Sequence, residues 1–109
     1  MGTDLLDSPI VVVACLFIRP GKEAAFREFE TDAARIMRSY GDRIDRVIRP
    51  IAPAAEGPLP HEIHIVSFPS LERFDAYRGD RDLAELAYLR QSAISHADVT
   101  IGVEGDTYA

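Results

Sequence analysis

The sequence predicts an α+β domain of order βαββαβ, with a four-stranded antiparallel sheet and its helices on one face. Three observations predict it. Four apolar or alternating segments bracket two stretches of helical periodicity. Proline and glycine punctuate the joins, at Pro20-Gly21, Gly41, Ala52–Pro60 and Pro69. A composition of 47% apolar and 28% charged residues over 109 positions is enough for one packed core without disulfide or metal staples.

Ile10–Ile18 is β-branched and apolar at both parities, as a central strand with two covered faces reads. After Pro20-Gly21, apolar residues fall at Phe26, Phe29, Ala33, Ile36/Met37 and Tyr40, steps of three or four that share one helical face. Gly41 suits the left-handed cap that ends this helix. Arg43–Ile51 alternates imperfectly between charged and apolar groups, as a half-solvated strand does. Ala52–Pro60, with three prolines and a glycine, is a loop, and His61–Phe68 returns to strand character. Ser70 caps a short helix carrying Leu71, Phe74 and Tyr77. A further helical segment runs to about Ile94, with Leu83, Leu86, Ala87, Arg90 and Ile94 in its stripe, and Val99–Val103 is the last strand.

This order is the split-βαβ, ferredoxin-like arrangement, read as a single domain over 1–109 with its core at about 10–105. One sheet face stays bare. The first strand then presents either Ile10/Val12/Ala14/Leu16/Ile18 or Val11/Val13/Cys15/Phe17 to the uncovered side. An open apolar face of several hundred Å² exceeds what soluble monomers usually show. The expectation is a homodimer in which two sheets face each other across a cavity.

Charge and motif content exclude several classes. With 12 basic against 18 acidic residues the net charge is −6, and the scattered arginines form no patch for nucleic acid. One cysteine excludes an internal disulfide and any Cys-rich zinc site. The apolar run at Ile10–Ile18 is too short to span a bilayer, and its leader carries Asp4 and Asp7 where a signal peptide needs positive charge. The expectation is a cytoplasmic protein with no membrane partner. No phosphate loop, nucleophile elbow or metal motif is present, so no cofactor is expected.

Phe68-Pro69-Ser70-Leu71-Glu72, Tyr77, Tyr88-Leu89-Arg90 and Val103-Glu104-Gly105 together resemble the dimeric α/β-barrel superfamily, in its bacterial domain-of-unknown-function branch. There an F-P-S turn follows strand 3, then an aromatic residue, then an arginine late in helix 2. Tyr40-Gly41-Asp42-Arg43 is similar to the branch's G-G-R segment, with Asp42 replacing the second glycine, and Ser67 stands where an acidic residue is usual. The resemblance implies a barrel dimer with a small-molecule cavity. The superfamily that the chain resembles includes cofactor-independent monooxygenases, muconolactone-type isomerases, haem-degrading enzymes and ligand-sensing modules.

Four residues are candidates for a site. Arg90 breaks an apolar stripe; it binds a carboxylate through its planar donor fork, or it reaches solvent or a protein acid. His64, in mid-strand, is a candidate general base, or a core histidine satisfied by the backbone. Tyr77 packs on Phe74 and Leu71 with its hydroxyl at a cavity edge. Arg43 and Arg46, three apart on a strand, point to opposite faces, and Arg46 is the substrate-binding candidate of the two. His61 and His64, also three apart, cannot share a metal ion, and His96 falls in a turn. Cys15 reads as a small core residue. The functional expectation is a small-molecule-binding barrel that acts without a cofactor on a small acidic or carbonyl substrate. The alternatives are a non-catalytic ligand-binding module and a structural homodimer.

Overall fold

A computed structural model of the chain describes residues 7–108, so Asp4 and the rest of the leader before Asp7 lie outside them. The elements are β1 (Ile10–Ile18), α1 (Glu23–Arg38), β2 (Arg43–Ile48), β3 (Glu62–Phe68), α2 (Leu71–Arg78), α3 (Arg81–Glu85), α4 (Ala87–Ala93) and β4 (Ile94–Gly102). The sheet runs β2-β3-β1-β4, all pairs antiparallel, with β1 at the centre. This is the expected ferredoxin-like α+β fold.

Strand register divides the side chains into two sets. Val12 lies opposite Val66 and Ala14 opposite His64, and on the other side of β1 Ala14 faces Val99 and Leu16 faces Ala97. This set meets the helices. The buried side chains form two clusters: Leu16 with Phe26, Phe29, Ala33, Leu89, Ala93 and Ile94, and Ile10, Val12, Val66 and Phe68 with Met37 and Phe74. Phe68, only 2% exposed, stacks edgewise on Phe74 at 5.0 Å. The opposite set, Val11, Val13, Cys15, Phe17, Ile63 and Ile65, occupies the sheet face that no helix covers. Cys15 therefore sits half-buried on the bare face and not in the core.

Local signals explain the helix ends. Gly41 has a φ of +81°, and a Cβ there would come within 2.8 Å of the Pro69 ring, so the turn into β2 needs glycine on two grounds. The Ser70 hydroxyl accepts the Arg73 N–H at 3.1 Å and starts α2. Asp80 caps α3 by accepting the N–H groups of Asp82 and Leu83, and it also receives the Tyr40 hydroxyl at 2.5 Å. That last bond ties the end of α1 to the α2–α3 junction.

Four expectations need correction. Asp45 is an extra residue bulging from β2, so Arg43 pairs with Ser67 and Arg46 with Ile65, and both arginines lie on the uncovered face. Asp45 accepts from both Arg43 and Ser67, which fills the place where an acidic residue at 67 was expected. The final helical segment breaks at Leu86, so α4 buries Leu89 and Ala93 and sets Arg90 at its margin. β4 starts at Ile94 directly from α4, which puts His96 on a strand, 2.7 Å from Asp98, and not in a turn. Finally, β3 starts after His61, so strand parity does not govern that residue. The His61 ring meets Phe26 edge-on at 5.2 Å, on the same side as His64.

Candidate active site

A cavity of about 410 Å³ lies between the sheet and its own helices. This space lies within one protomer and is distinct from the cavity expected between the facing sheets of a dimer. The physical reason is the lining: Ala14, Ala33, Ala84, Ala87 and Ala97 present single methyl groups where longer side chains would fill the layer. Phe29, Met37, Phe68 and Phe74 supply apolar walls. The size falls within the range of small-molecule pockets, about 300–1,000 Å³.

His64, Tyr77 and Arg90 all line this cavity, each from a different element, and Glu30 joins them from α1. Arg46 does not, because the bulge at Asp45 turns it to the other face. Glu30 also carries a signal in the sequence. Residues 26, 29, 30, 33 and 37 fall on one helical face, and a carboxylate interrupts it just as Arg90 interrupts the later stripe. Glu62 is legible from period two, since it shares a strand face with His64.

His64 is held between two acids. Its Nε2 lies 2.8 Å from Glu62 Oε1, and its Nδ1 lies 3.6 Å from Glu30 Oε1. Arg49 donates to the other Glu62 oxygen at 3.1 Å. A second groove of about 400 Å³ runs on the far side of α1, between Phe26, Arg49, His61 and Glu62, and Glu30 and His64 border it as well. The Glu30–His64 pair is thus a shared wall.

Burial raises the Glu30 carboxyl above the ordinary glutamate range. His64 and Arg90 oppose that shift and Glu62 adds to it. For Glu62 burial pushes the same way, but hydrogen bonds from His64 and Arg49 outweigh it and hold the group low. Burial, reinforced by the charges of Glu30, Asp42 and Asp80, pushes the Tyr77 phenol well up, so it remains an O–H donor at neutral pH. Neither that hydroxyl nor the Arg90 guanidinium has a hydrogen-bond partner among the described residues. Among those residues no group of three or more His, Cys, Asp or Glu could hold a metal ion, and no helix is long and apolar enough to cross a membrane.

No protein-family model and no curated protein matches the chain in sequence. Solved structures do match in shape. A protein of unknown function from Rhodopseudomonas palustris superposes with a TM-score of 0.77 at 17% identity, over 93% of this chain and 85% of that one. SnoaB, a cofactor-independent oxygenase from Streptomyces nogalater, gives 0.69 at 9% identity, over 93% and 97%. A dabb family protein with a ferredoxin-like fold from Mesorhizobium loti gives 0.66 at 15% identity, over 90% and 98%. At these identities the likeness defines the fold alone, which is ferredoxin-like. The F-P-S, aromatic and arginine pattern finds no match of its own.

The raised Glu30 carboxyl predicts a pH signature. The folded state holds this proton more tightly than the unfolded chain, so the stability it contributes is complete below the ordinary glutamate range. It is lost as pH rises through the raised folded value. Glu30→Gln removes that loss. The melting temperature of the variant should exceed that of the wild type by more at about pH 8 than at about pH 4. A difference constant with pH, measured by differential scanning calorimetry, would contradict the assignment.

Proposed function

We propose that this protein binds a small, flat, largely apolar organic molecule bearing a carbonyl or acidic group in the cavity between helices and sheet, and removes a proton from it. The supporting observation is the convergence of the Tyr77 hydroxyl, the Arg90 guanidinium and the His64 imidazole on a cavity with largely apolar walls. Small-molecule sites set a few polar groups among apolar walls in this way, where they fix a ligand's orientation.

In this reading His64 is the base. A C–H bond beside the ligand's carbonyl breaks, its electron pair remains on the ligand as an enolate, and the proton goes to the imidazole. Arg90 and the neutral Tyr77 hydroxyl stabilise the developing oxyanion, as charge-assisted donors do. The resulting imidazolium is stabilised by the Glu62 carboxylate hydrogen-bonded to its Nε2. The description of SnoaB as a cofactor-independent oxygenase supports chemistry carried by the chain's own side chains.

The assembly is part of the proposal. Val11, Val13, Phe17, Ile63 and Ile65 form an apolar face without a helix layer, which a second copy of the chain covers sheet to sheet. The dimer closes that face. It does not create the cavity, which each protomer holds itself. Sedimentation velocity at micromolar concentration should show a species of about twice the 12.1 kDa chain mass. A lone protomer there would contradict the sheet-to-sheet pairing.

Two ligand measurements test the site. Calorimetric titration with 1-hydroxy-2-naphthoate should detect binding that Arg90→Ala weakens about tenfold or more, from the loss of charge-assisted hydrogen bonds. Proton NMR in D₂O should show accelerated exchange at the carbon beside the carbonyl of small aryl ketones, abolished in His64→Ala. Equal affinities for wild type and R90A would remove Arg90 from the site. Binding without exchange across the ketone series would leave a ligand-binding module with no turnover.

A further inference from the structure

We propose that Glu62 is a positioning residue that selects the tautomer of His64, keeping hydrogen on Nε2 and the lone pair on Nδ1, the nitrogen on the Glu30 side. Its catalytic meaning rests on the reading of His64 as the base; the tautomer itself does not.

Nε2 to Glu62 is 2.8 Å, a hydrogen bond, whereas Nδ1 to Glu30 is 3.6 Å, beyond one. An ionised carboxylate can only accept, so a bond of that length to Glu62 requires Nε2 to carry hydrogen. Glu62 is kept ionised by its second partner: Arg49 donates to the remaining oxygen at 3.1 Å, and its own side chain is 76% exposed in the outer groove. Glu30 makes no competing claim on Nδ1, because the contact is long and its burial favours the uncharged acid.

Connectivity makes the arrangement directional. Glu62 and His64 are two apart on β3 and share its helix-facing side, so the strand itself sets their spacing. Phe26 packs on the imidazole from α1, at 6.5 Å between ring centres, and His61 closes the other side of Phe26. The titratable groups beside the imidazole are Glu62 from its own strand and Glu30 from α1, with Ala14 and Val47 opposite it on the neighbouring strands. With Nε2 bonded to Glu62, the ring does not readily exchange the roles of its nitrogens, so a proton leaving a ligand meets an unprotonated Nδ1 already in place.

Long-range ¹H–¹⁵N correlation spectra of ¹⁵N-labelled protein, at a pH where His64 is neutral, read the tautomer without any ligand. The wild type should show hydrogen on Nε2. Glu62→Ala should convert this to a mixture of both tautomers, and Glu62→Leu, of similar size and without a hydrogen-bonding group, gives the same test should the alanine variant not fold. Hydrogen on Nδ1 in the wild type would overturn the proposal, as would an unchanged single tautomer in a folded E62A or E62L. Where a ketone that exchanges is in hand, E62A should lower the exchange rate constant about a hundredfold with the affinity for 1-hydroxy-2-naphthoate within about twofold of wild type. A parallel loss of affinity would make Glu62 merely structural. Should no ketone exchange while the tautomer is as expected, the base reading falls and the positioning of His64 stands.

Discussion

Pairing of β1 with β3, Val12 opposite Val66 and Ala14 opposite His64, sorts the central side chains onto two faces and fixes what each face can do. A slip of one residue would exchange the faces completely, because the side-chain period is two. His64 and Glu62 would then leave the helix layer, and the bare face would receive the buried set. The hydrophobic clusters that surround Phe68 and Phe26 hold the register against that slip, since Ile10, Val12, Leu16, Val66 and Phe68 all lose their burial together.

Above that register, the helices leave space because of what lines them. Five alanines, drawn from both sheet and helices, thin the layer locally while aromatic side chains support its rim. The latch from Tyr40 to Asp80 secures α3 over the same space, with the Arg73 guanidinium lying 5.4 Å from the Tyr40 ring and donating to the Ser39 carbonyl. Electrostatics then follow from dielectric. A chain of net negative charge places a carboxyl raised by burial beside an imidazole and within the field of Arg90, so proton affinities in the cavity differ from those at the surface.

Much of this was legible in the sequence. The parity of Ile10–Ile18, the stripe from Phe26 to Met37, Gly41 as a left-handed cap and Ser70 as an N-cap all carry direct physical signals, and the structure has each of them. Arg90 stood out as a charge in an apolar stripe and His64 as a titratable group in mid-strand. Glu30 obeys the same rule as Arg90, a charge set in an apolar stripe, though the regular spacing of Phe26, Phe29, Ala33 and Met37 around it reads as core. Other features have no signal in a single sequence. The bulge at Asp45 depends on pairing across strands, and it alone moves Arg46 away from the cavity. The passage from α4 into β4 has no glycine or proline to mark it, which hid the start of the last strand at Ile94. The cavity itself arises from alanines that are distant in sequence and meet only in three dimensions.

The central claim is that the ligand enters the helix-covered face of each protomer. Methyl NMR of Ile, Leu and Val-labelled protein titrated with 1-hydroxy-2-naphthoate tests this directly. The largest shifts should fall on Val12, Leu16 and Val66, which face the cavity, with Val11, Val13, Ile63 and Ile65 little changed. Shifts concentrated on the latter set would place the ligand against the bare sheet and rule out the helix-covered cavity as its site.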